Sequence, residues 1–141
     1  MKFIVMIKAN KDSEAGVMPS ERLLTEMTKY NEELVAKGIM LGGEGLHPSI
    51  KGKRLNFSGN KITVTDGPFS ETKELIAGFW IWKLNSMEEA VAWAKRIPNP
   101  DGTEGIVEIR QVFEAEDFGE ALTPELQERE EKMRQQIESR K

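Results

Sequence analysis

Ile76-Ala77-Gly78-Phe79-Trp80-Ile81-Trp82-Lys83-Leu84 is the stretch on which the fold turns. Its two alternating sets, Ile76/Trp80/Trp82/Leu84 and Ala77/Phe79/Ile81, are both apolar, the pattern of a strand covered on both faces. Only Phe3-Ile4-Val5-Met6-Ile7 shares that pattern, so these two runs are expected to lie centrally in one sheet. Between them, Leu23, Leu24, Met27, Tyr30, Leu34 and Val35 repeat at helical spacing over residues 20–37, and Gly38 stops the helix. Ile39 to Leu46 is apolar but broken by Gly42, Gly43 and Gly45, a strand with weak or bulged pairing toward its end. Residues 54–58 and 61–65 alternate around Gly59-Asn60, which predicts a hairpin with Phe57 opposite Ile62 and Leu55 opposite Val64. After the decisive strand, Ser86-Met87-Glu88-Glu89 reads as a capping box opening a helix to about Ile97. Gly105 to Phe113 alternates as a last strand, and Thr123-Pro124 starts a final helix.

With the hairpin set aside, the order is strand–helix–strand–strand–helix–strand, the split βαβ or ferredoxin-like arrangement within the α+β class. Two helices cover one face of such a sheet. The other face carries large apolar groups, which predicts a homodimer with two sheets face to face. In this topology Leu46 and His47 lie at the same end of the sheet as Glu74 and Leu75. The last strand is expected to finish there too, bringing Arg110 and Gln111 to a common mouth beside the Asp66–Lys73 loop.

The chain of 141 residues has 20 Lys+Arg and 24 Asp+Glu, net −4. Residues 1–113 hold 15 of each sign, whereas residues 114–141 hold 9 acids and 5 bases. A neutral body with an acidic tail argues against a nucleic-acid partner and against an anionic membrane surface. The absence of cysteine excludes disulfides, thiolate nucleophiles and zinc ribbons, and the lone His47 excludes a multi-histidine metal site. No cofactor and no metal are expected. The N-terminus lacks a signal-peptide pattern, so a cytoplasmic setting is expected. Gly52-Lys53 lacks the preceding glycine and the following Ser/Thr of a phosphate-binding loop. The expected organisation is a domain at 1–113 followed by an acidic C-terminal arm with a helix at 114–141. That arm is expected to start at the mouth. Its thin Leu126/Met133/Ile137 stripe cannot support an isolated helix, so docking on the barrel or on a partner subunit is expected.

Gly43-Glu44-Gly45-Leu46-His47-Pro48-Ser49, Thr65-Asp66-Gly67-Pro68-Phe69-Ser70-Glu71-Thr72-Lys73-Glu74, Gly78-Phe79 and Val107-Glu108-Ile109-Arg110 resemble the DGPF group of YCII-related proteins, over roughly residues 1–113. The resemblance implies a ferredoxin-like fold forming a dimeric α+β barrel. It also implies relatives that act on small aromatic compounds, and an association with sigma factors. The wider family's site pairs a helix-borne His with an Asp. Here the first helix offers Tyr30 and Asn31 but no His, so Asp101 has no such partner and the pair does not carry over.

The candidate chemistry therefore rests on other residues. Asp66 could orient His47 as a general base near neutral pH; the alternative is that His47 is a solvated loop residue and Asp66 a turn-holding acceptor. Arg110, Lys73, Glu74 and Glu108 are candidates for holding a polar substrate, or for a salt-bridge network at the barrel mouth. Phe79, Trp80 and Trp82 line a pocket for an aromatic ligand or are simply core. Two functions stay open: a lyase- or isomerase-type enzyme using His47 and Asp66, and a non-catalytic ligand-binding or regulatory module tied to a sigma factor.

Overall fold

The computed structural model describes residues 1–141. Its elements in chain order are β1 (Lys2–Lys8), α1 (Lys11–Glu14), α2 (Glu21–Ala36), β2 (Met40–Gly45), β3 (Lys53–Ser58), β4 (Lys61–Asp66), β5 (Ile76–Lys83), α3 (Met87–Ala94), β6 (Val107–Gln111) and α4 (Pro124–Ser139). The chain is α+β with a four-stranded antiparallel sheet of order β2-β5-β1-β6 and a separate two-stranded sheet, β3-β4. Two compact units are present, Met1–Gln111 and Val112–Lys141. No helix is long and apolar enough to cross a membrane.

The two doubly apolar runs are the central strands, β1 and β5, with Phe3 opposite Trp82 and Val5 opposite Trp80. Those four side chains are buried with Tyr30, Leu34, Ile39 and Ala90, so α2 and α3 cover this face. Burying an aliphatic or phenyl side chain such as Val5, Leu34 or Phe3 contributes about 1.5–3 kcal/mol. The intervening residues Ile4, Met6, Phe79 and Ile81 are only half-buried, because α2 and α3 both lie on the other face.

Local signals set the boundaries. Ser20 and Ser86 cap α2 and α3 through the Leu23 and Glu89 amides. The Glu89 carboxylate reaches back to the Asn85 amide, one residue earlier than a capping box requires. Gly38, at φ +71°, ends α2. Pairing slips between Met40 and Gly42, at the start of β2 and not toward its glycine-rich end, where Gly43, Glu44 and Gly45 pair in regular register with Trp80, Phe79 and Gly78. The hairpin has the expected register, Leu55 opposite Val64 and Phe57 opposite Ile62. The short helix α1 lies in a stretch that its Gly16 and Pro19 mark as loop; Asn10 and Ser13 cap each other there and fold it locally.

One expectation about placement is overturned. β6 runs antiparallel to β1, whose C-terminal end lies at the mouth, so β6 enters there at Val107 and leaves at the other end. Val107 pairs with Ile7 but Arg110 pairs with Ile4. Three residues of strand, about 10 Å, therefore carry Arg110 and Gln111 away from the mouth. The segment after β6 likewise starts from the remote end.

Candidate functional site

A cavity of about 390 Å³ opens between α2 and the β2/β5 half of the sheet. Leu23, Leu24, Met27 and Asn31 of α2 form one wall, with Pro19 at the rim. Opposite them, Gly43, Glu44 and Gly45 of β2 and the Ala77–Trp80 stretch of β5 form the floor. The glycines explain why space remains here. A Cβ on Gly43 would come within 2.9 Å of the Phe79 carbonyl oxygen and 3.0 Å of a Trp80 ring carbon. A Cβ on Gly78 would come within 3.1 Å of the Glu44 carbonyl oxygen. Glycine lets the two backbones approach and leaves the floor bare.

Asn31 is the polar side chain of the wall; Glu44 contributes strand backbone to the floor, since it shares the register row of Phe79 and Met6 on the other face of the sheet. The Trp80 indole N–H donates to Asn31 Oδ1 at 2.9 Å. An indole nitrogen only donates, so this bond fixes the carboxamide orientation and leaves Nδ2 as a donor with no protein partner. Tyr30, one residue earlier, meets Trp80 edge-on at 6.0 Å and donates from its hydroxyl to the Trp93 carbonyl at 2.7 Å. Burial pushes the Tyr30 phenol up to about 12, with Arg96 pulling it down and Glu33 pushing it further up. Arg96 holds Glu33 through both carboxylate oxygens and keeps its acid below the usual carboxylate range. The aromatic wall is thus pinned from behind.

The Asp66–Phe69 string does a different job. A Cβ on Gly67 would fall on the Ser49 carbonyl, and the Gly67 amide donates to the Gly52 carbonyl at 3.0 Å. The Phe69 amide donates to Ser49 Oγ at 3.0 Å, while the Ser49 amide and hydroxyl both donate to the Glu14 carboxylate. The Phe69 ring lies 3.9 Å under the Arg54 guanidinium. Asp66 accepts from Lys53 Nζ at 2.5 Å, across the open end of the hairpin. Together these contacts clamp the hairpin base to α1.

The residues singled out in the sequence are not gathered. His47 is exposed and no hydrogen bond joins it to Asp66, whose carboxylate is held by Lys53. Lys73 and Glu74 are exposed in a 3-10 turn just before β5. Glu108 faces Lys8 at 3.5 Å on the uncovered sheet face, and Arg110 lies further along β6. None of the six lines the cavity. Of the three aromatics considered, Phe79 and Trp80 do, whereas Trp82 is fully buried. The sequence signal for the cavity was the glycine cluster in β2, which marks a close backbone approach. Leu23, Leu24 and Met27 read only as the inward stripe of a helix.

The family profile described as YCII-related domain matches residues 1–116. An uncharacterized protein of Rhizobium meliloti (strain 1021) is 30% identical over 90 residues, covering 64% of this chain and 73% of the relative. Among solved structures, the 5-chloro-2-hydroxyhydroquinone dehydrochlorinase TftG of Burkholderia phenoliruptrix AC1100, in complex with 2,5-dihydroxybenzoquinone, is similar at 19% identity and a TM-score of 0.42. That match covers 81% of this chain and 96% of TftG.

Proposed function

The chain belongs to the YCII-related family, and from that premise we propose that it binds a small, largely apolar ligand in the cavity between α2 and the β2/β5 half of the sheet. The observation that carries the reading is the Asn31–Trp80 bond at the cavity wall. It leaves an oriented NH2 donor among Leu23, Met27, Met40 and bare glycine backbone. Such a site takes a compact, ring-sized molecule that presents one hydrogen-bond acceptor. Binding, without chemistry, is the function the lining supports best, and it suits a ligand-sensing module of the kind a sigma factor could read. A mechanism through His47 and Asp66 would first have to break the Lys53–Asp66 pair.

The working unit we propose is a homodimer, with the ferredoxin-like sheets packed face to face as a dimeric α+β barrel. Ile4 and Met6 of β1 and Phe79 and Ile81 of β5 support it: they form an apolar band in the middle of an uncovered sheet.

The test is a titration of small cyclic carbonyl and phenolic compounds, read by tryptophan fluorescence and calorimetry. Asn31→Ala should weaken binding about tenfold by removing a charge-neutral donor. Gly45→Leu should abolish it, because the cavity has room for a side chain there with no contact to the fold. His47→Ala should leave binding unchanged. Ligands that bind equally well to wild type and Gly45→Leu would place the site elsewhere and end this reading.

A further inference from the structure

The β3-β4 hairpin carries an apolar face with nothing on it. Leu55, Phe57, Ile62 and Val64 share that face and are 53%, 72%, 59% and 57% exposed. Arg54, Asn56, Ser58, Lys61, Thr63 and Thr65 make the other face polar. An antiparallel ribbon with one apolar and one polar side is built to cover something, and a bare hairpin is marginal in water.

Charge indicates what it covers. Residues 51–66 hold four bases, Lys51, Lys53, Arg54 and Lys61, against the single acid Asp66, a net of +3. The remaining residues hold 16 bases and 23 acids, a net of −7. Lys53 is engaged by Asp66 and Arg54 lies over Phe69, which leaves Lys51 and Lys61 as unspent cations. We propose that the hairpin is a docking element that lays its apolar face on a second copy of this chain outside that copy's own hairpin, with its surplus positive charge drawn to the net-negative remainder.

The alternatives fit less well. Hairpin against hairpin sets +3 against +3, whereas hairpin against the remainder sets +3 against −7. An anionic bilayer would attract the hairpin but repel everything else in the molecule. The apolar groups also run along a strand face, while the tip, Ser58-Gly59-Asn60-Lys61, is polar, the wrong end for insertion.

The inference rests on the homodimer proposed above and adds to it, and sedimentation equilibrium separates the two. Wild type should be dimeric, and its affinity should fall as salt rises. The double variants Phe57→Ser/Ile62→Ser and Lys51→Glu/Lys61→Glu should each raise the dimer dissociation constant at least about tenfold. Their far-UV circular dichroism should be unchanged, because all four side chains are exposed. A wild-type dimer whose affinity neither variant alters overturns the hairpin inference alone. A monomeric wild type overturns both readings. Flotation of wild type, but not of the variants, with phosphatidylserine vesicles at physiological salt would assign the face to lipid and overturn the inference as well.

Discussion

Tyr30 shows how much one side chain can depend on partners far away in the sequence. Its helical spacing made it legible as an inward residue of α2. Nothing local foretold that its hydroxyl would donate to the carbonyl of Trp93, 63 residues on. Burial holds the phenol neutral up to about 12, against an ordinary value of 10.0, with Arg96 opposing the shift and Glu33 adding to it. Its folded-state pKa is raised, so its contribution to stability is fully present below pH 10.0 and is lost as pH rises through about 12. Tyr30 is the only tyrosine, so its phenolate absorbance reports this one site. The folded protein should titrate up to about 12 and the denatured chain near 10.0. Tyr30→Phe should cost about 1 kcal/mol at neutral pH, from the lost bond, and should flatten the alkaline decline measured by urea unfolding. His47 teaches the converse. As the sole histidine it draws attention in the sequence, yet its charge is useful only if a carboxylate turns toward it, and the nearest candidate by motif is spent on Lys53.

At the scale of elements, the decisive strand, its twin and the hairpin were all readable, because each is specified by alternation within a few residues. What alternation does not encode is how the elements are tied. The Asp66–Phe69 string is readable as a sharp turn; its use as a clamp depends on Ser49 and on Glu14 in a helix of four residues whose caps are its main signal. The clamp can be tested at Gly67, whose added methyl group would coincide with the Ser49 carbonyl. Gly67→Ala should destabilise by about 1–3 kcal/mol or more, since backbone must move to make room. Ser49→Ala should cost a similar amount, by leaving the Phe69 amide and the Glu14 carboxylate without their partner. Urea midpoints at constant slope measure both. An equal loss in the double variant Glu14→Gln/Ser49→Ala, beyond neither single change, would show that the three groups act as one unit.

The whole molecule was legible in its strand order but not in which end of the sheet each strand leaves. Because β6 runs antiparallel to β1, it carries Arg110 away from the mouth, to which a strand parallel to β1 would deliver it. Direction matters because it decides which charges border the uncovered face. Across that face one row reads Glu44, Phe79, Met6, Glu108 and the next Gly42, Ile81, Ile4, Arg110. Both rows are apolar at the centre and charged on the β6 side. A surface of this kind in the middle of a sheet is stable in water only at the cost of exposing apolar area, and a second sheet of the same pattern removes that area from both copies. The centre can be poisoned without touching the core. Ile81 is half-buried, its cross-strand neighbours on this face are Ile4 and Gly42, and an Asp placed there is too short to reach the rim. In a free protomer that carboxylate stays hydrated and the fold is kept. In a face-to-face dimer it loses its water and gains no partner, so Ile81→Asp should weaken dimerisation at least about a hundredfold. Sedimentation equilibrium reads the loss, and thermal unfolding of the resulting monomer confirms that the protomer is intact. If Ile81→Asp remains as dimeric as wild type, the two sheets do not meet through this face.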